Sequence, residues 1–234
     1  MKRVLFPAAF LITIIMTSGF SYGQTVKETR NVKDFTKVSF GVSGNLFIRF
    51  GNEFQVTIEG NKSDVREIET EVSGGRLIIK HENWRFSLND ERVTVNITMP
   101  EIEGLGVSGS GKAEIMDVTK SDNLKLSVSG SGKLLTADLD VDRLDCGISG
   151  SGDIVLAGKG SVDSADISIS GSGGFSGEST EIDKLEISIS GSGNSHCNVT
   201  GSLDASISGS GNVTYSGNPR VNARVSGSGH VRSK

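Results

Sequence analysis

Four carboxylates recur at one position of a repeating sequence: Asp145, Asp166, Glu186 and Asp204 each stand four residues before the first serine of a Ser-Gly-Ser-Gly block. Carboxylates held one repeat apart could bind a cation, or could supply the acid and base of a glycoside-cleaving pair. Two residues further towards the N-terminus, the same face carries Arg143, Lys184 and Arg220, which can neutralise the column without a metal ion. The four are the candidate ligand or cation residues, with a self-neutralised polar face as the simpler reading.

Other chemistry is harder to assemble. Asp138, Asp140 and Asp142 imitate the start of a calcium loop, but they lack the glycine and closing glutamate of an EF-hand and read as turn and edge residues. His81, His196 and His230 fall in different repeats or outside them, so neither a metal centre nor a Ser-His-Asp triad is expected. Serine is abundant, yet none has a base placed beside it to make it a nucleophile. No catalytic residue, metal or cofactor is expected, and the chain reads as a non-enzyme.

The elements that must carry these residues are strands. The block occurs seven times, starting at Ser108, Ser129, Ser149, Ser170, Ser190, Ser208 and Ser226, at intervals of 18 to 21 residues. Three apolar columns precede it at period two: Val107, Val128, Ile148, Ile169, Ile189, Ile207 and Val225 one before the serine; Leu105, Leu126, Cys146, Ile167, Ile187, Ala205 and Ala223 three before; and Leu124, Leu144, Ala165, Leu185, Leu203 and Val221 five before. Period two with one apolar face means β-strand. A weaker column five after the serine adds a second strand per repeat. Repeats of this length cannot bury their own apolar face and must stack, so the fold class is an all-β, single-stranded β-solenoid with rungs of about 18–21 residues.

Glycine is the punctuation. Gly109, Gly111, Gly130, Gly132, Gly150, Gly152, Gly171, Gly173, Gly191, Gly193, Gly209, Gly211, Gly227 and Gly229 flank the second serines and are expected to form one stacked corner. A second corner is expected at Asp122, Asp142, Asp163 and Asp183, with the aspartate bonding the backbone two residues on. Residues 101–234 form the regular part. Residues 35–100 read as irregular first rungs with a cap, because the bulky Phe35, Phe40, Phe47, Phe50, Phe54, Trp84 and Phe86 gather there. Val42-Ser43-Gly44 and Val72-Ser73-Gly74 look like worn corner blocks, and residues 64–72 read as loop or edge strand, with a short helix behind Ser63 as the alternative.

Residues 1–23 have the basic start, apolar centre and small-residue end of a cleavable export signal, with Ser21 and Gly23 at the small positions, and 24–34 read as an exposed lead-in. The apolar stretch is too short to cross ~30 Å of hydrocarbon, so no transmembrane segment is expected in the mature chain. With 24 basic and 28 acidic residues and a net charge of −4, nucleic acid is an unsuitable partner. Cys146 and Cys197 sit in different columns two rungs apart, near ~10 Å, so free thiols are expected, Cys146 at least being buried.

The entry Val32-Lys33-Asp34-Phe35, the stretch Gly41-Val42-Ser43-Gly44, the strand Gln55-Val56-Thr57-Ile58-Glu59 and the serial SGSG corners together resemble the bacterial auto-transporter adhesin, head GIN domain family. The resemblance covers about residues 32–230. It implies a pectin-lyase-like solenoid, for which a right-handed coil is expected, exported by Gram-negative bacteria to the periplasm, outer surface or medium. It implies cell adhesion through a cell-surface glycan or protein, and it supplies no catalytic residues. Polysaccharide binding or cleavage by the acidic column is the alternative, and ice or crystal-surface binding by the serine ranks a third. The basic run His230, Arg232 and Lys234 on the last rung is expected to keep open edges apart and the chain monomeric, with end-to-end self-association as the other outcome.

Overall fold

The structure is a computed structural model that describes residues 25–82 and 93–234. The export signal read at 1–23, together with Trp84 and Phe86, lies outside the described residues. Over the described residues the chain forms a β-solenoid of about six turns.

The N-terminal part contains β1 (Thr25–Arg30), β2 (Lys37–Gly41), β3 (Gly44–Phe50), β4 (Gln55–Asn61), the short helix α1 (Lys62–Arg66), β5 (Ile68–Ser73), β6 (Arg76–His81), β7 (Val93–Met99), β8 (Gly104–Gly109) and β9 (Lys112–Ile115). Alternation places Val38, Phe40, Leu46 and Ile48 inward, where all four are buried. The turns do not stack in chain order. Strand β2 lies between β6 and β8, and β3 between β7 and β9, all parallel. The chain thus builds the second turn first, goes outward to make the terminal turn from β6 and β7, and returns past its own start to β8.

Antiparallel strands close that terminal turn: β5 pairs with β6, β4 with β7, and β1 with β4. Reversing strand direction ends the parallel rule, and α1, with Val65 buried, lies against β1, β4 and β5. Within the segment read as an exposed lead-in, residues 25–30 form β1, whose residues alternate between exposed and half-buried. The helix starts after Asn61 rather than Ser63, and the strand β5 comes directly after its C-cap. Phe35 stacks tilted against Phe54 at 4.8 Å between ring centres.

The regular part continues as β10 (Thr119–Gly130), β11 (Lys133–Thr136), β12 (Leu139–Gly150), β13 (Asp153–Leu156), β14 (Gly160–Gly171), β15 (Gly174–Gly191), β16 (Asn194–Gly209), β17 (Asn212–Ser216), β18 (Arg220–Gly227) and β19 (His230–Ser233). The long ladder runs in unbroken register through the SGSG-preceding columns, for example Leu126, Cys146, Ile167, Ile187, Ala205 and Ala223. The two strands expected per rung are separate as far as β14 and run together in β15 and β16, and the longer one bends. In β12, Asp142 and Arg143 are exposed in succession, and the register passes over Asp142 and Asp163, so Leu139 and Val141 line a third side of the core. The bend falls at the aspartates, although among the described residues none of the four forms the expected bond to the backbone two residues on.

At the main corner the first glycine of a block, from Gly109 to Gly227, needs a positive φ, between +87° and +127°. From Gly130 on it is crowded as well, a Cβ on Gly130 standing 2.6 Å from the Gly109 oxygen. The second is shaped by crowding: a Cβ on Gly132 would stand 2.7 Å from the Gly111 oxygen and 2.8 Å from Val107 Cγ1. The approach is close because the ladder continues round the corner, Ser131 N donating to Gly109 O at 2.9 Å and Ser151 N to Gly130 O at 2.9 Å. Val42-Ser43-Gly44 does occupy this corner column, Ser43 Oγ lying 3.3 Å from Ser110 Oγ. Val72-Ser73-Gly74 does not: it enters the β5–β6 hairpin turn, where Gly74 and Gly75 have φ of +57° and +71°.

Both cysteines are free and buried. Burial pushes the Cys197 thiol up to about 12 and the Cys146 thiol higher still.

Candidate functional site

Register places the four predicted carboxylates on adjacent rungs of one face, in the column Lys125, Asp145, Asp166, Glu186, Asp204 and Asn222. Alternation turns them outward because their neighbours Cys146, Ile167, Ile187 and Ala205 are core. Adjacent rungs stand ~4.8 Å apart, so each pair of ionised neighbours repels by roughly 1 kcal/mol in water. The ends of the column relieve this: Lys125 precedes Asp145, and Asn222 Nδ2 donates to Asp204 Oδ1 at 2.7 Å. Lys125 and Asn222 were missed as members, although counting four back from Ser129 and Ser226 finds them.

The parallel column two residues away reads Asn123, Arg143, Ser164, Lys184, Ser202 and Arg220. Long cations therefore stand on alternate rungs, with a serine between. Arg143 Nε lies 3.8 Å from Asp145 Oδ1, an exposed pair worth little by itself. The small Ser164 and Ser202 leave a shallow open groove bounded by Arg143 and Lys184, bordered by Asp166, Glu186 and Asp204 and floored by Ala165 and Leu185. Guanidinium and ammonium donors facing carboxylate acceptors suit a ligand rich in hydroxyl groups.

Asp166, Glu186 and Asp204 are exposed, so the groove offers them no apolar enclosure of the kind that sets one carboxyl apart from its neighbours as an acid. Among the described residues, no three His, Cys, Asp or Glu side chains are grouped as a metal ion would require. Asp138 and Asp140 are absorbed by the scaffold: Asp138 Oδ1 accepts from Lys159 N at 2.8 Å, and Asp140 pairs with Lys120 at 3.2 Å. His81, His196 and His230 lie on β6, β16 and β19, and among the described residues no serine hydroxyl is hydrogen-bonded to a histidine.

The same face carries serine ranks. Ser108, Ser129, Ser149, Ser170, Ser190, Ser208 and Ser226 align, as do Ser168, Ser188 and Ser206, but the second rank is broken by Gly147 and ends in Arg224. A hydroxyl lattice interrupted this way, beside a charged column, is a poor match to a regular crystal surface. Among the described residues no helix is long and apolar enough to cross a membrane.

Several solved structures share this architecture. One described as a "putative adhesin" from Bacteroides fragilis superposes with a TM-score of 0.85 at 24% identity, covering 91% of this chain and 98% of its own. A "putative adhesin" from Parabacteroides merdae gives 0.72 at 22%, covering 91% and 97%. A "putative lipid binding protein" from Parabacteroides distasonis gives 0.71 at 23%, again covering 91% and 97%. At these identities the likeness is one of fold. No curated protein matches the chain. The model of one family, "putative auto-transporter adhesin, head GIN domain", matches residues 34–219, and the chain belongs to that family.

Proposed function

We propose that the protein is exported and acts as a non-catalytic adhesion module, holding a cell-surface glycan or protein against the charged face of its long ladder. One observation carries this reading. The four carboxylates, the alternating cations and the first serine rank lie on one continuous, solvent-open surface, while no described group is enclosed for catalysis. A surface whose carboxylates recur on successive rungs and whose cations recur on every second rung offers equivalent contacts to a repeating polymer, and several weak contacts made together bind far better than one. Family membership and the leader-like residues 1–23 support export.

The test is retention of the purified chain on immobilised acidic and neutral glycans. The triple variant Asp145→Asn, Asp166→Asn, Glu186→Asn is expected to lose retention at least tenfold while melting at or above the wild-type temperature, since it relieves repulsion along the column. A chelator is expected to leave wild-type retention unchanged, because Lys125, Arg143, Lys184 and Asn222 balance the column without a metal. Equal retention of variant and wild type would remove the face from the account.

A further inference from the structure

The two ends of the long ladder are finished differently. At one end all eight residues of β18 are exposed, with Val221 at 42% and Val225 at 43%, and among the described residues β18 pairs only with β16. At the other end the last strand is β5, which among the described residues pairs only with β6. Following the register from one end to the other, Glu71 stands in the column of Ile78, Ser39, Gly106 and Ser127 that finishes at Arg224. Likewise Val72 shares the column of Ala223, and Thr70 that of Val225. Glu71 and Arg224 are both exposed, and neither has an ion-pair partner among the described residues.

We propose that copies of this chain join head to tail, β18 of one pairing antiparallel with β5 of the next so that the columns run on across the joint. Stacked in this register, Arg224 meets Glu71 outside, Val72 and Thr70 cover Ala223 and Val225 inside, and the free backbone groups of both edges are paired. The interface uses different surfaces on the two copies and continues the stack in one direction, so it stays open and propagates as a fibre.

The basic run expected to oppose this is largely engaged: Lys234 Nζ lies 2.9 Å from Glu178 Oε1, and Arg232 Nε donates to Thr214 Oγ1 at 3.4 Å. The second ladder adds no support. Its end strand β1 puts Glu28 in the column of Val231 and Lys27 in that of His230. The joint therefore rests on one ladder and depends on concentration and salt. It is independent of glycan binding, since Glu71 and Arg224 lie outside the groove.

Sedimentation velocity on the purified chain tests it. At low salt the weight-average mass of the wild type is expected at least to double with rising concentration and to fall back in high salt. Arg224→Glu and Glu71→Arg should each remain monomeric, whereas an equimolar mixture of the two should associate, because each variant supplies the charge the other lacks. A wild type that stays monomeric throughout, or association that both single variants retain, overturns the proposal. So does a wild type that binds a synthetic peptide of residues 67–74 while never binding itself, since that edge would then serve some other acidic strand.

Discussion

The stack from β10 to β18 and the region from β1 to β9 solve opposite problems with different materials. The stack repeats a local rule in which inward columns of Leu, Ile, Val and Ala are carried round a glycine corner, and each rung pairs with the next in register. The N-terminal region ends the rule. It brings in Phe35, Phe40 and the tilted Phe35–Phe54 pair, reverses strand direction at β4 and β5, and joins those two strands through a short helix. The contrast shows that a repeat can specify its own continuation but not its termination. Termination needs bulk and antiparallel pairing that the repeat does not contain.

The corner column shows the difference most sharply, because it begins with the buried Val42 and continues with glycines. The largest effect is expected from importing that side chain into the stack. In Gly150→Val a Cβ would collide with the Gly130 oxygen at a backbone φ of +112°. The expected loss is about 5 kcal/mol, comparable to the whole stability of a marginal domain, read as failure to unfold cooperatively in urea. Phe40→Ala tests the other region: removing a fully buried ring is expected to cost about 4 kcal/mol by the same measurement.

Alkaline stability depends on the two thiols of the stack. Below the ordinary thiol value of about 9, folded and unfolded chains both keep their protons and stability is intact. Above it the unfolded chain ionises first, so stability is expected to fall by roughly 1.4 kcal/mol per pH unit per thiol up to the raised folded values. Cys146→Ala, Cys197→Ala should flatten that slope, and in the wild type at pH 8 neither thiol should react with an alkylating reagent before unfolding.

Glycines that are crowded and glycines that are merely twisted should then separate. Gly109 has φ +87°, but a Cβ added there would meet nothing within 4 Å, so Gly109→Ala is expected to cost only about 1 kcal/mol. Gly147 has neither constraint, and Gly147→Ala should be neutral or stabilise by up to about 0.5 kcal/mol in thermal unfolding.

Much of the stack was legible from the chain because its rule is local. The alternation around Leu126, Cys146 and Ile167 places each residue inside or outside without knowledge of its partners, and the same counting aligns Asp145 with Asp166. The bend was signalled too, by Asp142 and Arg143 standing polar in succession, although two strands and a corner already account for the apolar columns. The N-terminal order was not legible. Inserting β2 and β3 between the turn of β6 and β7 and the turn of β8 and β9 depends on pairing between distant segments, and the sequence from 51 to 99 offers no repeat from which to count. Val72-Ser73-Gly74 misled for a related reason: the same small residues suit a corner or a hairpin, and only the partner strand decides between them. The match of Glu71 to Arg224 required the complete register.

The central claim is that the charged face of the stack binds without cutting. The most direct measurement incubates the purified chain with a panel of acidic and neutral polysaccharides and tracks, in the same samples, the chain retained on polymer and the reducing or unsaturated ends released. The wild type is expected to be retained and the Asp145→Asn, Asp166→Asn, Glu186→Asn variant to lose retention, with no new ends from either protein. Reproducible release of ends by the wild type, abolished in the variant, would contradict that claim and make the acidic column an active site.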